Sequence, residues 1–124
     1  MPVPTLLVIV ATVTMSACAQ LALKFGVMSP AIAAAKDRGA WQFLIATGTS
    51  PGVWLGLSIY AASVAAWLWV LSKTDLSVAY PFVGISFVIT MVFGVTLLQE
   101  SVTPARVVGT LLIAAGCVLV ARSA

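Results

Sequence analysis

Apolar residues gather into four runs along this chain, each set off from the next by a short polar cluster. The first extends over about residues 3–25 and carries no charge before Lys24. The others extend over about residues 53–71, 78–98 and 104–121. A helix crossing a bilayer needs about 20 mostly apolar residues, and the four runs match that length. The β-branched residues of the last two runs do not argue for strands, because an isolated strand in lipid leaves its backbone polar groups unpaired. The pattern predicts an all-α integral membrane bundle of four transmembrane helices. It forms one domain over residues 1–124, with a surface segment between helices one and two.

The boundaries carry helix-start chemistry. Ser50-Pro51 and Thr103-Pro104 each place a hydroxyl cap before a proline at the first helical position, where the missing N–H is harmless. Asp75 and Ser77 are candidate caps for the third helix, and Pro81 falls within its first turns, predicting a mild kink or local opening. The 26–52 segment differs from the rest. Ser29-Pro30 opens a short helix ending near Lys36, Asp37 and Arg38, and Trp41 and Phe43 suit the headgroup level. A partly helical loop lying on the membrane surface is expected there, ended by Gly48-Thr49-Ser50-Pro51-Gly52.

Composition supports the membrane reading. Hydrophobic residues make up 62% of the chain and charged residues 7%, whereas a soluble domain carries about a quarter charged residues. The net charge of +3 is scattered, without the basic patch and interleaved aromatics that nucleic acid calls for; it fits juxtamembrane positions facing anionic headgroups. Cys18 and Cys117 lie inside apolar runs and read as small buried hydrophobes. With no His and no metal-type spacing, no metal site is expected. No G-x-x-x-x-G-K-[ST] element occurs, no nucleophile–base pairing is visible, and neither a cofactor nor an enzymatic activity is expected. The first run reads as a retained span, since no base precedes it and apolar sequence continues past the Ala17-Cys18-Ala19 box that loosely resembles a cleavage site. The bases lean weakly towards termini outside: Lys36, Arg38 and Arg106, with Lys24 at the edge, on one side, against Lys73 and Arg122 on the other. Dual insertion stays open.

Candidate chemistry lies on few residues. Ser16, Gln20 and Lys24 recur every four positions and share one helix face. A Lys at a helix end can simply snorkel to the headgroups; a stripe of Ser, Gln and Lys facing protein or a cavity could equally hold an anionic headgroup. Tyr80 and Ser86 flank Pro81 and Gly84, a backbone break of the kind that frames transport sites, although Pro81 opening the helix and Tyr80 joining an interfacial belt is the plainer alternative. Tyr60 and Trp67, seven apart, are placed to line a cavity. Glu100 either pairs with Arg106 at the surface or serves a basic group elsewhere. Gly109 and Gly116 offer a close-packing face to a second copy or to a neighbouring helix. Four helices make a narrow bundle, so a substrate pathway calls for a homodimer or a paired small subunit.

Taken together, these motifs resemble the drug/metabolite transporter superfamily of EamA-like and small multidrug resistance proteins. Within it, they are most similar to the ArnE/ArnF type of small subunits that flip aminoarabinose-phosphoundecaprenol. The matching elements are Gln20-Leu21 with Lys24, Trp54 to Leu57, Trp67 to Leu71, Ala79 to Pro81, Ser86 to Val88, and Glu100, Val102, Pro104 and Gly109. The 26–52 segment is longer than that subgroup's. The multidrug branch carries a membrane-embedded Glu eight residues before the helix-one Lys; here Ser16 stands at that position, and Val83 stands where that branch carries a binding Trp. A site with a Lys and no carboxylate prefers an anion. The resemblance therefore implies a bacterial inner-membrane flippase, or flippase subunit, for an undecaprenyl-phosphate-linked sugar or similar anionic lipid. Lys24 would contact phosphate, and Ser16, Gln20, Tyr80 and Ser86 would hold polar headgroup atoms. Two alternatives accompany it: a proton-coupled small-molecule or multidrug exporter using Glu100 or Asp75, and an assembly subunit without its own path.

Overall fold

A computed structural model describes residues 3–123. Four helices are long and apolar enough to cross a membrane: Val3–Val27, Pro51–Lys73, Leu76–Thr96 and Pro104–Ser123. They coincide with the four predicted spans, and we label the first α1, the second α4 and the last α7. Helix α1 packs most extensively against α4. The approach is close because glycine lines it. A Cβ on Gly26 would lie 2.8 Å from the Val53 backbone nitrogen, and one on Gly56 would lie 2.9 Å from that of Leu23.

The third span is built in three pieces: α5 (Leu76–Ala79), a 3-10 turn (Tyr80–Val83) and α6 (Gly84–Thr96). Pro81 has no N–H to give to the α ladder, so the backbone tightens into the 3-10 turn across it. The break expected at Pro81 falls here, as a tightening of the helix rather than an opening. Phe82 of that turn, with Ile9, Val70 and Ala79, forms the buried core. Helix α6 lies against α1, and α7 lies against α6. Among its described residues α7 buries only Cys117, whose thiol donates to the Pro81 carbonyl. Cys18, by contrast, is exposed on α1; the expectation that both cysteines are buried is corrected, because in lipid an apolar position can face outward at no cost.

The segment between the first two spans is a helical hairpin rather than a loop: α2 (Pro30–Lys36) and α3 (Ala40–Gly48) pack on each other. The chain reverses at Gly39, whose φ of 119° suits glycine. Ile32 and Ala35 are buried, whereas α3 buries nothing and leaves Trp41 71% exposed. The Trp54 indole N–H donates to the Gly48 carbonyl at 2.7 Å, tying the hairpin to α4.

Two of the predicted hydroxyl caps form, whereas Ser77 lies inside α5. Ser50 accepts from the Val53 N–H at 3.5 Å and Thr103 from the Arg106 N–H at 3.2 Å. Ser29 and Asp75 occupy cap positions without a side-chain hydrogen bond. Helix α6 stops at Thr96, two residues before the predicted end. Gln99 takes a left-handed φ of 54°, and the Glu100 N–H reaches back to the Gly94 carbonyl at 2.8 Å.

Candidate functional site: a polar seam between the first and third spans

Two cavities lie in line along α1 where it faces the third span. The central one, of about 150 Å³, is bounded by Thr12, Val13 and Ser16 of α1, Tyr60, Ser63, Val64 and Trp67 of α4, and Tyr80, Val83 and Ser86 of the broken span. Five residues singled out in the sequence converge there: Ser16, Tyr60, Trp67, Tyr80 and Ser86. The 3-10 turn is what brings Tyr80 and Ser86 to the same cavity, as it resets the helical phase between them.

Two polar residues of this cavity escaped the sequence reading. The Ser63 hydroxyl donates to the Tyr60 carbonyl at 2.7 Å, as Ser86 donates to Val83, which leaves both oxygens free to accept. Thr12 is different. It is only 3% exposed, and its hydroxyl has no hydrogen-bond partner. Leaving a buried hydroxyl unpaired costs about 1–3 kcal/mol, and the Thr12 hydroxyl keeps both its donor and its acceptor capacity unused. It sits one turn before Ser16 on the same face, where the four-residue period, continued backwards, finds it. Thr12→Val is expected to keep or raise thermal stability in detergent, while slowing transport or weakening ligand binding several-fold. A merely structural Thr12 would give lower stability and unchanged binding.

The outer cavity, of about 200 Å³, is lined by Gln20, Leu21 and Lys24 of α1, Thr90 and Phe93 of α6, and Leu98 and Glu100 beyond it. Ser86 of the central cavity and Thr90 of the outer one lie on consecutive turns of α6, where Thr90 donates to the Ser86 carbonyl at 2.8 Å. At 1.5 Å rise per residue, Thr12 and Lys24 are about 18 Å apart along the axis. That is more than half of a hydrocarbon core about 30 Å thick. Hydroxyls therefore stand at mid-membrane depth, and charged and amide groups stand at its edge. Gln20, Lys24 and Glu100 are all exposed.

The eight predicted residues thus separate into five around the central cavity and three around the outer one. The premise of a Lys site without a carboxylate is corrected, because the turn at Gln99 folds Glu100 back into the cavity of Lys24. The surface pairing of Glu100 with Arg106 does not form either; the Arg106 guanidinium donates to the Ser101 carbonyl at 3.1 Å.

Four apolar spans, the first three of which line polar cavities from mid-membrane towards one face, are the architecture of a multi-pass membrane transporter. The chain belongs to the EamA-like transporter family, whose family model matches residues 4–122. It is 33% identical over 89 residues to the probable 4-amino-4-deoxy-L-arabinose-phosphoundecaprenol flippase subunit ArnE of Pseudomonas aeruginosa strain UCBPP-PA14, covering 68% of this chain and 77% of that protein. It is 32% identical over 121 residues to the probable flippase subunit ArnF for the same lipid from Aeromonas salmonicida strain A449, covering 92% of this chain and 76% of that one. No solved structure matches it.

Proposed function

We propose that this protein is a flippase, or one subunit of a flippase, for an undecaprenyl-phosphate-linked sugar or a similar anionic lipid in the bacterial inner membrane. The observation that carries the reading is the seam itself: an unpaired buried hydroxyl at mid-depth, acceptor oxygens beside it, and an ammonium at the edge. A lipid crossing a bilayer must take its headgroup through hydrocarbon, where polar groups are expensive, while its tail stays in lipid. The seam gives the headgroup partners along the way and leaves the tail outside. The names of the ArnE and ArnF relatives support the cargo class.

The exporter reading is less favoured, since none of the described residues lining the central cavity carries a carboxylate. Passive or gradient-driven movement without an enzymatic step fits the family. Lys24, Lys36, Arg38 and Arg106 lie at the face where α1 ends and α7 begins, against Lys73 and Arg122 at the other, which favours a cytoplasmic mouth at Lys24.

Gln20 is exposed beside the outer cavity at the membrane edge, and α7 is almost wholly uncovered. A second copy or a paired small subunit completes the wall. Side chains added at Gly109 or Gly116 would meet nothing within 4 Å in this chain. Gly116→Leu is therefore expected to leave the helical content and melting of the chain intact and to reduce pairing several-fold, read by cross-linking in membranes; unchanged pairing would move the interface off α7.

The test of function is transbilayer movement of a fluorescent polyprenyl-phosphate sugar in proteoliposomes. The expected result is movement well above protein-free vesicles. No movement, together with protection of cells against cationic dyes, would replace the flippase by the exporter.

A further inference from the structure

Resting on the flippase reading, we propose that Glu100 is a specificity-determining residue. It reads a cationic amine on a headgroup whose phosphate is taken by Lys24. The two side chains line one cavity of about 200 Å³, Lys24 from the end of α1 and Glu100 from the chain beyond α6. Opposite charges in one small cavity suit a ligand that carries both signs.

The placement of Glu100 is built, and among the described residues no ion pair explains it. Gln99 before it adopts φ 54°, a left-handed conformation uncommon for a residue with a Cβ and often found where function fixes the backbone. The Glu100 N–H is bonded to the Gly94 carbonyl at 2.8 Å. Gly94 leaves room for the carboxylate in this position, since a Cβ on it would lie 2.6 Å from Glu100 Oε1 and the side chain would have to shift. Arg106, the basic residue that borders Glu100 on the α7 side, is turned to the Ser101 carbonyl.

Selectivity gives the arrangement its sense. An ammonium alone accepts any phosphate, and a bilayer surface is crowded with anionic lipid. A carboxylate beside it repels a bare phosphate and admits one whose headgroup brings its own positive charge, which is discrimination by an unfavourable term against the wrong ligand. Gln20 and Thr90 add neutral hydrogen-bonding groups for sugar hydroxyls. A polyprenyl-phosphate amino sugar and a phosphoethanolamine lipid share this chemistry.

The test measures binding to the full-length protein in nanodiscs of phosphatidylglycerol, using a polyprenyl-phosphate amino sugar and the same lipid with its amine acetylated. Wild-type protein is expected to prefer the free amine by about tenfold, the ratio of one charge-assisted hydrogen bond. Glu100→Gln, nearly isosteric, is expected to bring the two forms within about twofold, and Gly94→Ala to erode the preference by displacing the carboxylate. Lys24→Gln weakens both forms alike. A preference that survives Glu100→Gln overturns the proposal, as does an equal weakening of both forms by that change. Wild-type protein that binds both forms equally overturns the role of Glu100 and leaves the flippase reading standing, whereas binding of neither form sinks both. Phosphatidylethanolamine competing as well as the amino sugar lipid supports amine reading and assigns its source to bulk phospholipid.

Discussion

Lys24→Gln is expected to slow transbilayer movement of a polyprenyl-phosphate lipid about tenfold, and Lys24→Arg to restore most of it. A hydrogen bond to a charged group contributes about 1.5–3 kcal/mol, and each 1.4 kcal/mol is about tenfold. Lys24 is exposed at the membrane edge, so the lower part of that range applies. Arg keeps the charge and adds a fork of donors suited to phosphate. A Lys24 that only snorkels would give a different outcome, because Gln at a helix end is cheap and transport would then hold. The rate in proteoliposomes, with protein content matched, separates the two.

Gly26→Ala is expected to destabilise the protein by about 1–3 kcal/mol, as inserting a methyl into a full interface does. The added Cβ would lie 2.8 Å from the Val53 nitrogen and 3.0 Å from the Gly52 carbonyl carbon. Both are backbone atoms of α4, so no side chain can swing aside and the two helices must part. Since α4 carries Tyr60 and Trp67, the central cavity loses a wall in the same event. Gly109→Ala is the control. Nothing lies within 4 Å of its added methyl, and its effect on stability should stay within about 0.5 kcal/mol. Thermal unfolding in detergent compares them, and equal melting of the two variants would contradict the close α1–α4 packing.

The spans were legible because lipid imposes a length and a composition that few other environments share. Ser50-Pro51 and Thr103-Pro104 marked two helix starts to the residue, since a cap and a following proline act locally. The four-residue period of Ser16, Gln20 and Lys24 placed them on one seam, and the seven-residue spacing of Tyr60 and Trp67 placed both on one cavity. Other features were hidden for physical reasons. Cys18 was misplaced because an apolar residue in a membrane helix can face lipid or protein, so hydropathy does not distinguish the sides. Thr12 lies on the same period as Ser16, but one hydroxyl in a run that also holds Thr5 and Thr14 carries no charge to draw notice. Glu100 comes to line the cavity of Lys24 through a left-handed residue that is Gln, where glycine would have signalled the turn. The α2–α3 hairpin depends on burial of Ile32 and Ala35, which is tertiary.

Native mass spectrometry of the protein released from lipid offers the most direct measurement, with a polyprenyl-phosphate amino sugar and uncharged polyprenol of equal length supplied together. If the seam holds the phosphate headgroup, the amino sugar lipid adduct persists at energies that strip the polyprenol, and Thr12→Val and Lys24→Gln each weaken it. Equal retention of the two lipids would mean that only the tail is bound, and the polar seam would then have no part in recognition.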